Sequence, residues 1–87
     1  MTGRDIIKDI MQKLNVSNAT LAHRMGTSIA TMWDRVNSKK HKDIPLSMLN
    51  DMLRVLDYKV VIVPMSRQVK SDEYVVTAKE ADTDSET

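Results

Sequence analysis

The 87-residue chain predicts a mostly α domain: four helices closed by a short C-terminal β-strand or hairpin. Three observations point there. Apolar residues recur at three-and-four spacing in four successive segments, the repeat of one helical face. Hydroxyl residues or a proline stand where those segments begin. β-branched residues gather only late, in Val60–Val63 and again around Tyr74–Thr77, as short strands require.

Each element follows from its residues. Ile6, Ile7, Ile10, Met11 and Leu14 form one face of a first helix, with Thr2 as N-cap and Asp5 in the first turn, where a carboxylate meets the positive end of the helix dipole. Ser17 caps a short second helix with Leu21, Ala22 and Met25 inward, ending at Gly26, because a left-handed terminal residue costs glycine least. Thr27 and Ser28 supply the next cap, and Ile29, Met32 and Val36 place a third helix to about Asn37. Asn37 to Asp43 has no apolar residue and reads as an exposed loop. Pro45 suits the first turn of a fourth helix, with Leu46, Leu49, Met52, Leu53 and Leu56 inward, Met48 and Val55 widening the stripe, and Asp57 ending it. The two β-branched runs pair as a hairpin, or the first pairs with its copy in another subunit, since an edge strand invites a partner. The expected division is residues 1–64 for the helical domain and 65–87 for the β element and an acidic tail.

Composition excludes several classes. With 41% hydrophobic and 29% charged residues the chain is globular. Zero cysteines remove disulfides, zinc knuckles and thiol catalysis. No apolar run reaches the ~18 residues of a membrane span, and Met1 to Leu14 alternates charged with apolar residues where a signal peptide is continuously apolar. No membrane partner and a cytoplasmic location are the expectation. His23 and His41 lack a second ligand at metal spacing, and no Ser–His–acid set, glycine-rich loop or carboxylate pair stands out among residues with two glycines. No metal, no cofactor and no enzyme activity are expected. Most of the seven methionines, Met11, Met25, Met32, Met48 and Met52 among them, fall on inward stripes as core filler.

Charge is more informative in its distribution than in its sum. Through Lys70 there are twelve Lys and Arg against six acids, a net of +6; from Ser71 onward one Lys stands against six acids, a net of −5. A basic body carrying an acidic tail suits a polyanion partner, with the tail solvated or tuning the body.

Two short helices joined through Gly26, Thr27 and Ser28 are linked too tightly to lie antiparallel and must cross as a helix-turn-helix. Ala22 is small where the helices touch, Gly26 frees the turn, and Met32 fills the angle between them. Leu21, Ala22, Met25, Gly26, Thr27, Ser28 and Met32 resemble the helix-turn-helix of the phage-repressor, Cro-like (xenobiotic-response-element) family. The leucine-rich helix and valine-rich run from Leu49 to Pro64 look like the end of many small members, so the resemblance covers roughly residues 4 to 64. Two positions depart from the family pattern: Asp57 stands where glycine is usual, and the third helix lacks the Gln and Asn that commonly read adenine.

The resemblance implies a sequence-specific, double-stranded-DNA-binding transcriptional regulator of the repressor kind, with the third helix in the major groove. Ala30, Thr31, Asp34 and Arg35 then face outward with Trp33 on a flank of the helix around residues 29–37, and Ser28 and Asn37 at its two ends belong to the DNA-binding set. Arg35 can reach a phosphate or a guanine edge, Thr31 either group, and Ala30 and Ile29 thymine methyls, while Asp34 accepts from a cytosine amine or, more often for a carboxylate near phosphates, repels and so excludes wrong sequences. Trp33 stacks on a sugar or packs on the first or fourth helix. Lys39, Lys40 and Lys42 flank the groove as phosphate clamps, and Asn18 meets a phosphate at the start of the second helix. So small a footprint calls for a two-fold homodimer, with Lys59–Val63 the preferred contact. The rival expectation is a protein-binding module on the same fold, such as a phage anti-defence inhibitor or an antitoxin whose acidic tail grips a basic protein. RNA binding lacks interleaved aromatics for base stacking.

Overall fold

A computed structural model describes residues 1–37 and 43–77. They form a compact all-α unit of four helices, α1 (Gly3–Leu14), α2 (Asn18–Met25), α3 (Ile29–Asn37) and α4 (Leu46–Val55). The described residues of the expected β element contain no strand.

Both ends of α1 are capped. The Thr2 hydroxyl accepts from the Asp5 amide at 3.2 Å while the Thr2 amide donates to the Asp5 carboxylate at 3.0 Å, a reciprocal capping box. The Asp43 carboxylate, forty residues away, accepts from the amides of Gly3 at 2.6 Å and Arg4 at 3.0 Å. The first three helical donors are thereby satisfied, and a negative charge sits on the positive end of the dipole. At the other end Asn15 turns left-handed with φ 56° and Val16 donates to the Met11 carbonyl. Lys42 and the three residues before it, from Lys39, lie outside the described residues.

The body closes on one core. Ile7, Ile10, Leu21, Met32 and Met52 are fully buried, with Ile6, Met11, Ala22, Val36, Leu49, Leu53 and Leu56 around them. Ile44, in the connection before α4, joins them. Met25 and Met48 pack at the margin, as stripe-edge residues do. Three residues expected inward are not: Leu14, Ile29 and Leu46 are 46%, 58% and 62% exposed. Each terminates a helix. Helical side chains lean toward the N-terminus, so those of Ile29 and Leu46, the first residues of α3 and α4, project past the end of their helices. Leu14 is the last residue of α1, and Val16 beyond the Asn15 turn packs on the core instead.

α4 starts one residue later than expected, with Pro45 as the cap whose carbonyl receives the Leu49 amide. It ends at Val55 with Leu56 as its C-cap, and Asp57, the expected stop, takes φ 69° just beyond while the Tyr58 amide returns to the Leu53 carbonyl. That left-handed backbone is the physical reason a glycine suits the position.

From Lys59 the chain leaves the body as an arm. It runs extended through Val63, turns at Pro64–Arg67 and again at Lys70–Glu73, and returns to the start of α1. The two β-branched runs do not pair as a hairpin because the second is held elsewhere. The Thr77 amide donates to the Met1 carbonyl at 2.9 Å, the Met1 ammonium donates to the Thr77 hydroxyl at 2.8 Å, and the Tyr74 hydroxyl donates to the Asp9 carboxylate at 2.5 Å. Lys13 lies 5.0 Å above the Tyr74 ring centre and 3.4 Å from Asp9. The Tyr74 hydrogen bond, assisted by Lys13, holds the Asp9 carboxyl below its ordinary range. The Lys13 ammonium is raised, first by its hydrogen bond with Tyr74, and the Tyr74 hydroxyl is raised, first by its bond to Asp9. No helix among the described residues is long and apolar enough to cross a membrane.

Candidate nucleic-acid interface

The α2–turn–α3 unit is set by three side-chain and backbone devices. The Ser17 hydroxyl accepts from the Thr20 amide at 3.1 Å and starts α2. Gly26 ends it with φ 70°, returning its own amide to the His23 carbonyl and that of Thr27 to Ala22. The Ser28 hydroxyl accepts from the Thr31 amide at 3.1 Å and donates to the Thr31 hydroxyl at 2.8 Å, which starts α3 two residues after the turn. A methyl group at Gly26 would meet nothing within 4 Å, so the backbone angle alone dictates glycine there.

Met32 and Val36 anchor α3 in the core, and its opposite side is bare. Ser28, Ile29, Ala30, Thr31, Trp33 and Asp34 are exposed together over the first two turns. Trp33 is 55% exposed, so its packing on the first or fourth helix is at most partial. Arg35 and Asn37 are half-buried at the far end of the helix. The Asn37 amide donates back to the Trp33 carbonyl at 3.0 Å, and the Arg35 carbonyl accepts from Arg4 Nε at 2.9 Å. Arg4, Asp34, Arg35 and Asp43 line a shallow recess of about 410 Å³ with Ile44, Pro45 and Met48. Two guanidinium groups and two carboxylates make that recess electrically balanced, unlike an anion site.

Asn18, the first residue of α2, is half-buried, and its side-chain oxygen is buried without a hydrogen-bond partner among the described residues. A phosphate is an acceptor, so only the nitrogen end of that amide serves one. The clamp residues Lys39, Lys40 and Lys42 lie outside the described residues.

The helix starts differ in a way that periodicity does not reveal. On α1 the Asp43 carboxylate fills the positive end. On α2 and α3 a serine hydroxyl satisfies one amide each, and the amides of Asn18, Ala19, Ile29 and Ala30 have no partner among the described residues. Open amides at a helix start suit an anion. Sequence reasoning missed Asp43 and Arg4 because both act across more than thirty residues of chain, and no local pattern marks such a contact.

The chain matches no family model, no curated protein and no solved structure.

Proposed function

We propose that this protein is a sequence-specific DNA-binding transcriptional regulator that lays the start of α3 in the major groove. The observation that carries the reading is the bare face Ser28–Asp34 on a core-anchored helix, next to two helix starts with open amides. A helix ~10–12 Å wide fits a groove ~12 Å wide, and the open amides of α2 and α3 then meet phosphates on its rim. Ala30 and Ile29 supply methyl contacts, Thr31 and Asp34 polar ones, Arg35 a guanine edge or a phosphate, and Lys39, Lys40 and Lys42 the salt-sensitive grip. A two-fold dimer through Lys59–Val63 presents two such helices about one DNA turn, ~34 Å, apart.

Two variants test this on duplex DNA. Arg35→Ala weakens binding by about 5- to 100-fold. The triple Lys39, Lys40, Lys42→Ala variant weakens all sequences alike and lowers the slope of log affinity against log salt by ~0.9 for each phosphate it no longer neutralises. Unchanged affinity and slope for both variants contradict the proposal.

A second reading, a protein-binding module, is favoured by the character of the bare face. Ile29 and Trp33 are its two large exposed side chains and Asp34 its charge, a composition that also suits a protein contact. Deleting residues 78–87 separates the two. A DNA binder keeps or gains affinity for DNA without its like-charged tail, and a tail-dependent inhibitor loses its target.

A further inference from the structure

The arm meets the body at Tyr74 and Thr77 and stands off it along much of the course between. Between them runs a trough of about 1090 Å³, walled on one side by Ile6, Ile10, Leu49 and Leu53 of α1 and α4, and on the other by the extended run Val60–Val63 and the returning Val75 and Val76. Of the thirteen large apolar side chains exposed among the described residues, eight belong to this arm, with Ile62 at 88% and Met65 fully open. No hydrogen bond among the described residues uses a backbone group of Lys59–Val63, and Val60–Pro64 carries no charge. A backbone row left without a partner is a template for pairing, and here the residues that blunt such an edge, Lys59 and Pro64, stand only at its two ends.

We infer that the trough seats a second copy of this chain: the partner's Val60–Val63 segment enters it beside the same segment of the first copy, and each arm clasps the body of the other protomer. Three features select that occupant. The first is area. Roughly 60–120 Å² is lost by each aliphatic side chain on full burial. The eight arm residues, about three-fifths exposed on average, therefore offer on the order of 300–600 Å² of apolar surface per copy. A stable interface takes ~800 Å² per partner, a little over half of it apolar.

The second is self-complementarity. A two-fold contact brings one surface against itself, so charges of one sign would repel. The rim mixes Arg54, Lys59 and Arg67 with Asp57, Asp72 and Glu73. Those acids also disfavour nucleic acid at this place. The third is the free backbone. A β-strand satisfies a row of amides and carbonyls at once, which a small apolar ligand does not, and the strand within reach whose own row is equally free belongs to an identical chain.

The inference deepens the two-fold assembly proposed above and rests on the arm being its contact; it does not require DNA. The full chain at micromolar concentration should sediment at twice its 9.9 kDa mass. Val61→Glu and Ile62→Glu should raise the dimer dissociation constant by about a hundredfold, as an unpaired charge buried in an interface does, with helical circular dichroism retained.

Because the chain has no cysteine, a second experiment locates the contact. Leu46→Cys on the trough's body side and Ile62→Cys on the arm, each made in a separate chain, should join as a disulfide-linked heterodimer when mixed and oxidised. A monomer at all concentrations, a monomer carrying a small molecule in native mass spectrometry, or a dimer without the Leu46–Ile62 link would each overturn the inference. A clasped dimer that ignores DNA would sink the regulator reading and leave this one standing.

Discussion

The helical body and the C-terminal arm use similar side chains to opposite ends. In the body, Ile7 and Ile10 are fully buried; in the arm, Ile62 is 88% exposed and its valine neighbours are open. Apolar content is thus no guide to where the core lies. What separates the regions is whether the chain supplies the second surface. Four helices crossing at a tight turn enclose one another's stripes, whereas an extended arm held at its far end by Tyr74 and Thr77 spans a gap that it cannot fill.

The sharpest way to break this comparison is one substitution made twice. Ile7→Ala should cost ~2–5 kcal/mol in chemical denaturation, enough to unfold much of a chain this small. Ile62→Ala should change the stability of the isolated protomer by less than ~0.5 kcal/mol. Dilution separates that value from its effect on assembly. Equal costs at both sites, measured on monomer, would erase the distinction between body and arm.

A smaller effect tests how the body holds its first helix. Asp43→Ala removes the carboxylate that receives two α1 amides and should cost ~1–2 kcal/mol in a thermal melt. A loss below ~0.3 kcal/mol would mean that the Thr2–Asp5 box alone carries that end.

The smallest effect concerns the arm's latch. Tyr74→Phe should leave the denaturation midpoint of the body in place while the Thr77 amide, bonded to the Met1 carbonyl, exchanges faster. The pH dependence has two sides. Asp9 is depressed by its bond to Tyr74, so its contribution is present above the ordinary carboxylate pKa and lost as pH falls through the lowered value. Tyr74 and Lys13 are raised, so theirs is present below their ordinary values and lost as pH rises through the raised ones. The Tyr74 ring signals in NMR should report a docked arm at neutral pH and release toward both extremes. A docked signal unaltered by strong acid would contradict the Asp9 contact.

How much of this was legible in the sequence depends on the distance over which each feature acts. The caps at Thr2, Ser17 and Ser28 and the stops at Gly26 and Asp57 are contacts within a few residues, and the sequence places all of them. The outward setting of Ala30, Thr31 and Asp34 follows from the buried Met32 and Val36 at 100° per residue. Leu14, Ile29 and Leu46 read as core because periodicity is blind to where a neighbouring helix stops. The β-branched run after Lys59 is legible as extended chain, but a strand also needs a partner, and pairing is a property of two segments. Asp43 on α1 and Tyr74 on Asp9 join residues 39 to 65 positions apart, and neither has a local signature.

The most direct test of the central claim, that the bare start of α3 reads DNA, is selection of bound sites from random duplex DNA by the full chain. The account predicts enrichment of a two-fold symmetric sequence whose half-sites lie about one helical turn apart, ~34 Å, and loss of that enrichment with Arg35→Ala. A pool that stays random at low salt, with the protein folded and assembled, would contradict it.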